Sequence, residues 1–402
     1  MISVAIMGHG VVGSGVAEVL LKNVDSITKK AGDQIEVKRI LDLRDFPDSP
    51  LADRFTKDFN DILNDADIRI VVETMGGLHP SYEFVKACLE SGKSVVTSNK
   101  ELVAAKGDEL LAIAKSRNLN FLFEASVGGG IPILRPLDQC LAANEVYEIA
   151  GILNGTTNFM LTRMIEDDMA FDEALKLAQD LGYAEREPSA DVDGHDAARK
   201  ICILASLAFG RHVFPDQVHT EGIRNVSLDD VRAAAQMGGV IKLIGRAKKK
   251  GDKISCIVAP MIVKDGENLL AQVNDVFNGI MVRGDVIGDV MFYGRGAGKL
   301  PTASAVVADV IDEVKHIAAR KYLFWESGAP DYVLPYTEDT TKAMVRTNGA
   351  DAAAIADVFG DVTVLSDEQG VCAFVTGEMT EEALAAAVER LGNVVSCIRV
   401  AD

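Results

Sequence analysis

The chain has 402 residues, of which 48% are hydrophobic and 6% aromatic, and its formal net charge is −19 at pH 7. This length exceeds one ordinary hydrophobic core, so we expect a globular protein of two or three domains. The acidic balance argues against DNA or RNA as a general partner, because binding phosphates requires a basic surface. No apolar run reaches the roughly 18 residues that would span a bilayer, and the N-terminus lacks signal-peptide character. We therefore expect a cytoplasmic protein with no membrane partner.

The first motif joins an apolar strand, predicted at residues 2–7, to a helical pattern at residues 14–22. Its sequence is Gly-His-Gly-Val-Val-Gly. In such a G-x-G-x-x-G loop the first glycine makes a tight turn, the second lets a pyrophosphate approach the backbone, and the third lets helix and strand pack closely. The free amides and the dipole of the helix start favour an anion. We therefore predict a site for NAD or NADP formed by Gly8, Gly10, Val11, Val12 and Gly13.

Asp42 and Arg44, which follow the second predicted strand at 36–41, bear on the choice of cofactor. Asp42 stands at the end of that strand, where an acid would accept hydrogen bonds from the ribose hydroxyls and favour NAD. Arg44 lies two residues further on and could instead bind the 2′-phosphate of NADP. The sequence leaves the two cofactors open.

Strands and helices continue to alternate up to residue 124. Strands are predicted at 68–73, 94–97 and 120–124, and helices at 80–91 and 101–117. This alternation is typical of a Rossmann-type, doubly wound parallel sheet that collects ligands at the carboxyl ends of its strands. Lys100 follows such an end and is a candidate for catalysis or binding. It could equally be an ordinary residue of the next helix's first turn.

A glycine-rich segment ends the alternating region. Glu124 is followed by three consecutive glycines at 128–130, which allow close backbone approach. The glutamate and nearby carbonyl groups could surround a small cation such as Na⁺. A flexible crossover into another domain is an equally acceptable interpretation, and the two are compatible.

The pattern changes from about residue 132. A strand is predicted at 145–153, then a turn at 154–158 that caps a helix at 159–167. Hairpins at 240–263 and 279–293 indicate an α+β substrate domain that can pair sheets between subunits. A second glycine-rich loop ends at Gly298, before a predicted helix at 301–319. That loop is either a further cofactor contact or a plain crossover.

An acidic stretch at 181–200 carries Glu185, Glu187, Asp191, Asp193 and Asp196. Gly182 is a helix-stop signal, and Pro188 and Ser189 are predicted to keep the middle of the stretch extended. Asp196 and Lys200 are four residues apart on the following helix, so they share a face. The stretch suits a ligand that carries an ammonium group, or it is a solvated acidic loop with one surface ion pair.

The C-terminal residues 335–402 have the order strand–helix–strand–strand–helix–strand. This order is that of a ferredoxin-like module. The module carries no catalytic constellation, so we expect it to bind a ligand or to dimerise.

Several motifs together resemble homoserine dehydrogenase over residues 1–325. They are GHGVVG at 8–13, SNKELVA at 98–104, EASVGGGIPI at 124–133, GILNGTTNFML at 151–161, LGYAEREPSADVDGHDAARK at 181–200 and YGRGAGKLPTASAV at 293–306. Each motif is modest alone, but their order and spacing are specific to this family. The C-terminal module resembles an ACT domain, a module that senses amino acids.

The resemblance implies roles for individual residues. Lys200 would donate a proton to the carbonyl oxygen, with Lys100 as a second lysine at the cofactor–substrate junction. Glu185 and Asp196 would bind the substrate, Asp191 would support them, and Gly182 would face the nicotinamide. The implied ligands of a monovalent cation are Glu124 and the carbonyls of Val127, Gly129 and Ile131. The pattern departs from the family at Asp42, where many relatives carry the arginine that suits NADP.

The implied activity is hydride transfer between NAD(P) and L-aspartate 4-semialdehyde, which gives L-homoserine in threonine and methionine biosynthesis. The implied domains are a dinucleotide-binding domain at 1–131 completed by a helix at 301–325, a substrate and dimerisation domain at 132–300, and an ACT-like module at 335–402. A homodimer or homotetramer is expected, with threonine as an effector of the module. The competing hypothesis is a nucleotide-dependent amino-acid sensor without catalysis.

Overall fold

The computed structural model describes residues 1–320, 323–349, 352–368 and 371–401. Two compact units form: Met1–Asn144, Cys202–Pro215 and Gly294–Ala329 make the first, and Glu145–Ile201, Asp216–Tyr293 and the described residues from Pro330 onward make the second. Within these ranges no helix is long and apolar enough to cross a bilayer. The domain boundaries expected from the sequence stay predictions.

The strands are β1 (Ile2–Met7), β2 (Ile35–Leu41), β3 (Phe55–Thr56), β4 (Ile68–Glu73), β5 (Ser94–Thr97), β6 (Phe121–Leu122), β7 (Val146–Ile152), β8 (His219–Thr220), β9 (Gly239–Lys250), β10 (Lys253–Lys264), β11 (Phe277–Gly284), β12 (Gly288–Arg295), β13 (Thr340–Asn348), β14 (Thr363–Glu368), β15 (Val371–Val375), β16 (Met379–Thr380) and β17 (Val394–Val400). The helices are α1 (Val11–Lys22), α2 (Val24–Ala31), α3 (Asn60–Leu63), α4 (Ser81–Glu90), α5 (Lys100–Ser116), α6 (Gly155–Glu166), α7 (Phe171–Asp180), α8 (Ser189–Val192), α9 (His195–Phe209), α10 (Leu228–Gln236), α11 (Lys299–Lys315), α12 (Ala352–Phe359) and α13 (Glu381–Leu391).

The first unit contains a parallel sheet with the order β3-β2-β1-β4-β5-β6. Its central strands β1, β4 and β5 are short and largely apolar, as expected for strands that are covered on both faces. The strand order reverses between β1 and β4, and ligands of such sheets bind at the carboxyl ends beside this reversal. The predicted doubly wound, Rossmann-type sheet is confirmed.

Helix α11 returns to the first unit and packs on its core. Ala303, Val306 and Val310 are fully buried there in one cluster with Val16 of α1. The prediction of a helix over 301–325 is wrong in its bounds, because the helix ends at Lys315. Beyond its end, the carbonyl of Ala319 accepts from the Asn120 side chain at 3.2 Å.

The second unit contains a sheet with the order β12-β11-β7-β9-β10-β17-β13-β15-β14. The hairpin of β9 and β10 turns at Gly251, which has a φ of +64°. The last four strands of this order, with α12 and α13, have the topology expected of a ferredoxin-like module. This module continues the larger sheet, since β17 pairs in parallel with β10 through Met261 and Arg399.

Candidate active site

The loop after β1 has the geometry that a dinucleotide pyrophosphate requires. A Cβ atom at Gly13 would lie 1.9 Å from the Gly8 carbonyl oxygen, so the start of α1 packs directly on the turn. Gly8 has a φ of +93°, a left-handed conformation that favours glycine. A Cβ at Gly10 would meet nothing within 4 Å, which leaves open space in front of the helix start. The N-cap residue of α1 is Gly10, which has no side chain to bind the first amides of the helix, so these amides can bind an anion such as the pyrophosphate of NAD(P).

Asp42 and Arg44 form a two-bond ion pair beside this loop. The Asp42 carboxylate accepts from Arg44 Nε and Nη2, each at 2.9 Å, and from the His9 amide at 2.8 Å. The side-chain hydrogen bonds from Arg44 hold the pKa of Asp42 well below its usual range. The Asp42 side chain is 9% exposed and that of Arg44 is 63% exposed. Both residues therefore lie near the predicted cofactor loop, with the acid fully ionised.

Glu73 organises the loops that follow β4 and β5. Its buried carboxylate accepts from the Met75 amide at 2.8 Å and from the Thr97 hydroxyl at 2.5 Å. The Thr97 oxygen in turn accepts from the amide of Asn99, which caps α5. Lys100 is the first residue of that helix, as the alternative interpretation of this lysine proposed. Burial raises the pKa of Glu73 despite these hydrogen bonds.

In the second unit, two acids, an asparagine and a lysine meet in one cluster. Lys200 Nζ donates to the Leu153 carbonyl at 2.7 Å and to Asp196 Oδ2 at 2.8 Å. The Asn154 side-chain amide donates to Asp191 at 2.7 Å and to Asp196 at 2.9 Å. Lys200 is 7% exposed and Asp196 is 4% exposed. The shared helix face predicted for Asp196 and Lys200 is present, and it is buried.

Asn154 is the residue of this cluster that the sequence did not single out. The predicted bounds of the turn at 154–158 and the helix start at 159 are wrong, because α6 begins at Gly155, but the prediction that this segment caps the helix is confirmed. Asn154 caps this helix by accepting from the Thr157 amide, which leaves its own amide group to bridge the two acids. An asparagine between a strand and a helix was the available signal, but it indicates only a cap.

The remaining predicted residues of the acidic stretch lie at its exposed end. Glu185 and Gly182 are exposed, and Gly182 has a φ of +76° just past the end of α7. This confirms the predicted helix stop. The expectation that Pro188 and Ser189 are extended is wrong, since Ser189 begins α8. The reason is local: Pro188 supplies the carbonyl that accepts from the Asp191 and Val192 amides.

Glu124 lies in the first unit, and its carboxylate accepts three backbone hydrogen bonds. Its oxygens accept from the amides of Ile133, Leu134 and Arg135 at 2.6 to 2.8 Å. The following loop is tightly packed, because a Cβ at Gly129 would lie 2.3 Å from the Gly296 carbonyl oxygen. A carboxylate has about four acceptor positions, so three amides leave room for one more contact. The predicted partners Val127 and Ile131 are buried in the same segment.

Gly298, with a φ of +126°, immediately precedes α11, the helix that packs against α1 after the cofactor loop. The following residue, Lys299, pairs with Glu18 of α1 at 2.7 Å. Most of the predicted cofactor-side residues belong to the first unit. Gly182, which was predicted to face the nicotinamide, belongs to the second unit, as do Asp191, Asp196 and Lys200.

Comparison with known proteins identifies the family. The family model for homoserine dehydrogenase matches residues 132–311, and the one for its NAD-binding domain matches residues 8–124. The homoserine dehydrogenase of Synechocystis sp. is 47% identical over 323 residues, which cover 78% of this chain and 73% of that relative. The chain belongs to the homoserine dehydrogenase family.

Solved structures of the family match most or all of the chain. The homoserine dehydrogenase from Thiobacillus denitrificans is 36% identical with a TM-score of 0.90, and the match covers 100% of this chain and 98% of that one. A hyperthermophilic archaeal homoserine dehydrogenase in complex with NADPH is 28% identical with a TM-score of 0.65, covering 77% of this chain and 97% of that one. The predicted function, an NAD(P)-dependent oxidoreductase that interconverts L-aspartate 4-semialdehyde and L-homoserine, is confirmed. The alternative of a non-catalytic sensor is not favoured.

Proposed function

We propose that Lys200 donates the proton when L-aspartate 4-semialdehyde is reduced to L-homoserine. NAD(P), when bound, supplies the hydride to the carbonyl carbon. The carbonyl oxygen then develops negative charge, which a nearby ammonium group stabilises and protonates. The observation that carries this role is the fixed position of Lys200 Nζ, between the Leu153 carbonyl and Asp196. In the reverse direction the neutral amine would take the proton from homoserine.

The acids of the cluster suit the amino group of the substrate. Asp191, Asp196 and Lys200 together carry one excess negative charge when the lysine is protonated, and Glu185 adds another at the exposed end of the stretch. We propose that Glu185 contacts the substrate ammonium and that Asp191 and Asp196 complete this acidic end. Asp196 also orients Lys200, because the two are held at 2.8 Å. An unpaired ammonium would be costly to desolvate, so the excess negative charge favours this substrate class.

Steady-state oxidation of NADH with L-aspartate 4-semialdehyde tests the role of Lys200. General acid catalysis contributes about 10²- to 10⁴-fold, so Lys200→Ala should lower kcat by that order with the affinity for NADH unchanged. Lys176→Ala is the matched control, because Lys176 is an exposed lysine paired with Asp180 on α7. Full turnover by Lys200→Ala, with loss of turnover by Lys100→Ala, would assign the proton to Lys100 instead.

We propose NAD as the preferred cofactor. The Asp42 carboxylate lies beside the pyrophosphate loop and remains ionised, so it attracts ribose hydroxyls and repels a 2′-phosphate. Arg44 is less available to a 2′-phosphate, since its guanidinium is already bound to Asp42. A hydrogen bond to a charged group is worth about 1.5–3 kcal/mol, and Asp42 can make such a bond to the ribose hydroxyls of NADH but not to a 2′-phosphate. We therefore expect kcat/KM for NADH to exceed that for NADPH by about tenfold or more. Asp42→Ser should reduce this ratio; an equal ratio in the wild type would contradict the proposal.

We propose that Glu124 also binds a monovalent cation such as Na⁺, with the carbonyls of Val127, Gly129 and Ile131. The support is one remaining acceptor position on a buried, anchored carboxylate. Replacing NaCl by choline chloride at constant ionic strength should lower activity and the melting temperature. No change in either would remove the cation from the proposal.

We further propose that the ACT-like residues 335–402 bind threonine and that the protein is a homodimer or homotetramer. The ferredoxin-like strand order supports the binding of threonine. Strands β12 and β14 end the sheet within the described residues, and edge strands of this kind can pair between subunits, which supports the oligomer. Titration of threonine against activity and light scattering of the purified protein test the two separately. Activity independent of threonine would leave the module without an effector, and a monomer would exclude subunit pairing.

A further inference from the structure

The final strand of the chain carries a buried arginine that binds two acids. On β17, Arg399 donates through Nε and Nη2 to Glu381, at 2.5 and 2.9 Å, and through Nη1 and Nη2 to Glu221, at 2.8 and 2.9 Å. Glu381 belongs to the same C-terminal module, but Glu221 lies 178 residues earlier in the chain. Each pair uses the bidentate geometry in which arginine binds carboxylates best. The arginine therefore joins the C-terminal module to the segment at 219–224.

Glu221 is held from two sides. His219 binds its Oε1 at 2.6 Å, and the His219 ring stacks on Tyr336 at 3.6 Å. Burial alone would raise the pKa of Glu221, but the bonds from His219 and Arg399 outweigh it and lower the pKa to about 2. The Glu221 amide is fixed as well, since it donates to the Val258 carbonyl of β10 at 2.8 Å. Its position is thus set by both side-chain and backbone contacts.

The residues after Glu221 pack directly against the loop that leads into α9. A Cβ at Gly222 would lie 2.1 Å from the Val192 carbonyl oxygen, so the two backbones touch. The Ile223 amide donates to that same carbonyl at 2.8 Å. In the opposite direction, a Cβ at Gly194 would meet the Glu221 carbonyl oxygen at 3.2 Å. Any shift of the Glu221 segment must therefore move residues 192–194.

Residues 192–194 lie in the chain between Asp191 and Asp196, the two acids of the cluster around Lys200. Asp191 immediately precedes them, and α9, which carries Asp196 and Lys200, begins at His195. Asn154 binds Asp191 and Asp196 together, so the loop between these acids has little freedom to adjust. A displacement here would be passed directly to the ammonium of Lys200.

We propose that Glu221 and Arg399 are positioning residues through which the C-terminal module holds the catalytic lysine in place. The inference rests on the proposed role of Lys200 and extends it, because it makes the last strand of the chain part of the active-site support. A ligand that shifts β17 would then change turnover without touching the substrate. Both residues belong to the second unit, and the cofactor loop belongs to the first.

The test compares the full-length variants Glu221→Gln, Arg399→Lys and Arg390→Gln. Glu221→Gln keeps the shape of the side chain and leaves the Arg399–Glu381 pair, while Arg399→Lys keeps the charge but not the bidentate contacts. Arg390→Gln is the matched control, since Arg390 pairs with Asp357 on the exposed surface of the same module. Each variant is assayed well below its melting temperature.

We expect the first two variants to lose on the order of tenfold in kcat, because small displacements of catalytic groups have effects of that size or larger. The affinity for NADH should stay within twofold, and the control should match the wild type. A merely structural role would lower the melting temperature but leave kcat unchanged. Wild-type kcat in folded Glu221→Gln and Arg399→Lys would overturn the proposal.

Hydrogen exchange in the wild type provides a second measurement that needs no variant and no activity. The Ile223 amide, bound to Val192, should exchange as slowly as the amides of β10. Rapid exchange there would overturn the coupling even if Lys200 proved to be the proton donor. Conversely, slow exchange with full activity of Lys200→Ala would leave the coupling intact and reject the role of the lysine.

Discussion

Replacing Asn154 separates its two tasks, capping α6 and bridging two acids. Its carbonyl oxygen accepts from the Thr157 amide, and its amide group donates to Asp191 and Asp196. Serine is as good a helix cap as asparagine, but it has no amide to donate to both acids. Asn154→Ser should therefore keep the helix and lose the bridge, whereas Asn154→Ala should lose both.

The magnitudes follow from these bonds. The cap is worth about 1 kcal/mol, so only the alanine variant should lose that amount of stability from the helix start. A hydrogen bond to a charged group is worth about 1.5–3 kcal/mol, and about 1.4 kcal/mol corresponds to a tenfold change in rate. If one such bond orients the Asp196–Lys200 pair in the transition state, Asn154→Ser should lower kcat about 10- to 100-fold.

The assay is urea unfolding followed by circular dichroism, together with steady-state NADH oxidation at saturating L-aspartate 4-semialdehyde. We expect similar kcat values for the two variants, but a lower unfolding midpoint for alanine than for serine. Wild-type kcat in Asn154→Ser would refute the argument, because the amide bridge would then contribute nothing to the position of Lys200. Equal unfolding midpoints would refute the assignment of the cap.

Three further outcomes are expected. Gly13→Ala should abolish NADH binding and lower the melting temperature, since its Cβ would lie 1.9 Å from the Gly8 oxygen. Gly10→Ala, whose Cβ would meet nothing within 4 Å, should weaken NADH binding and leave the melting temperature unchanged. Fluorescence titration measures the binding, and calorimetry measures the melting temperature. Burial raises the pKa of Glu313 from 4.5 to about 8, so between these pH values the native state retains a proton that the unfolded chain releases. Glu313→Gln should therefore gain stability relative to the wild type as pH rises from 4.5 to 8. A difference in melting temperature that is constant with pH would contradict this. Burial lowers the pKa of Lys242 from 10.5 to about 8, so the wild type should gain stability relative to Lys242→Met between pH 8 and 10.5; parallel pH profiles of the melting temperature would contradict this.

The sequence by itself determined the features that depend on neighbouring residues. The glycine spacing of the first loop predicted a tight turn at Gly8 and close packing of the helix at Gly13. The structure confirms both, because these features depend on residues 8–13 alone. The shared face of Asp196 and Lys200 followed from the helical repeat. The alternation of strands and helices predicted the parallel sheet of the first unit, since crossover connections allow few other arrangements. The family resemblance, carried by motifs in a fixed order, predicted the activity.

The tertiary structure alone decided the features that join distant segments. Asn154 reaches Asp191 and Asp196, 37 and 42 residues later, and Arg399 reaches Glu221 across 178 residues. No local periodicity encodes such contacts, because they depend on which strands pair and how far each is displaced along its neighbour. The C-terminal module could be recognised from its own pattern, but its continuation of the larger sheet through β17 and β10 could not. Local sequence thus placed Lys200 on its helix, and long-range packing fixed the position of its ammonium group against Leu153.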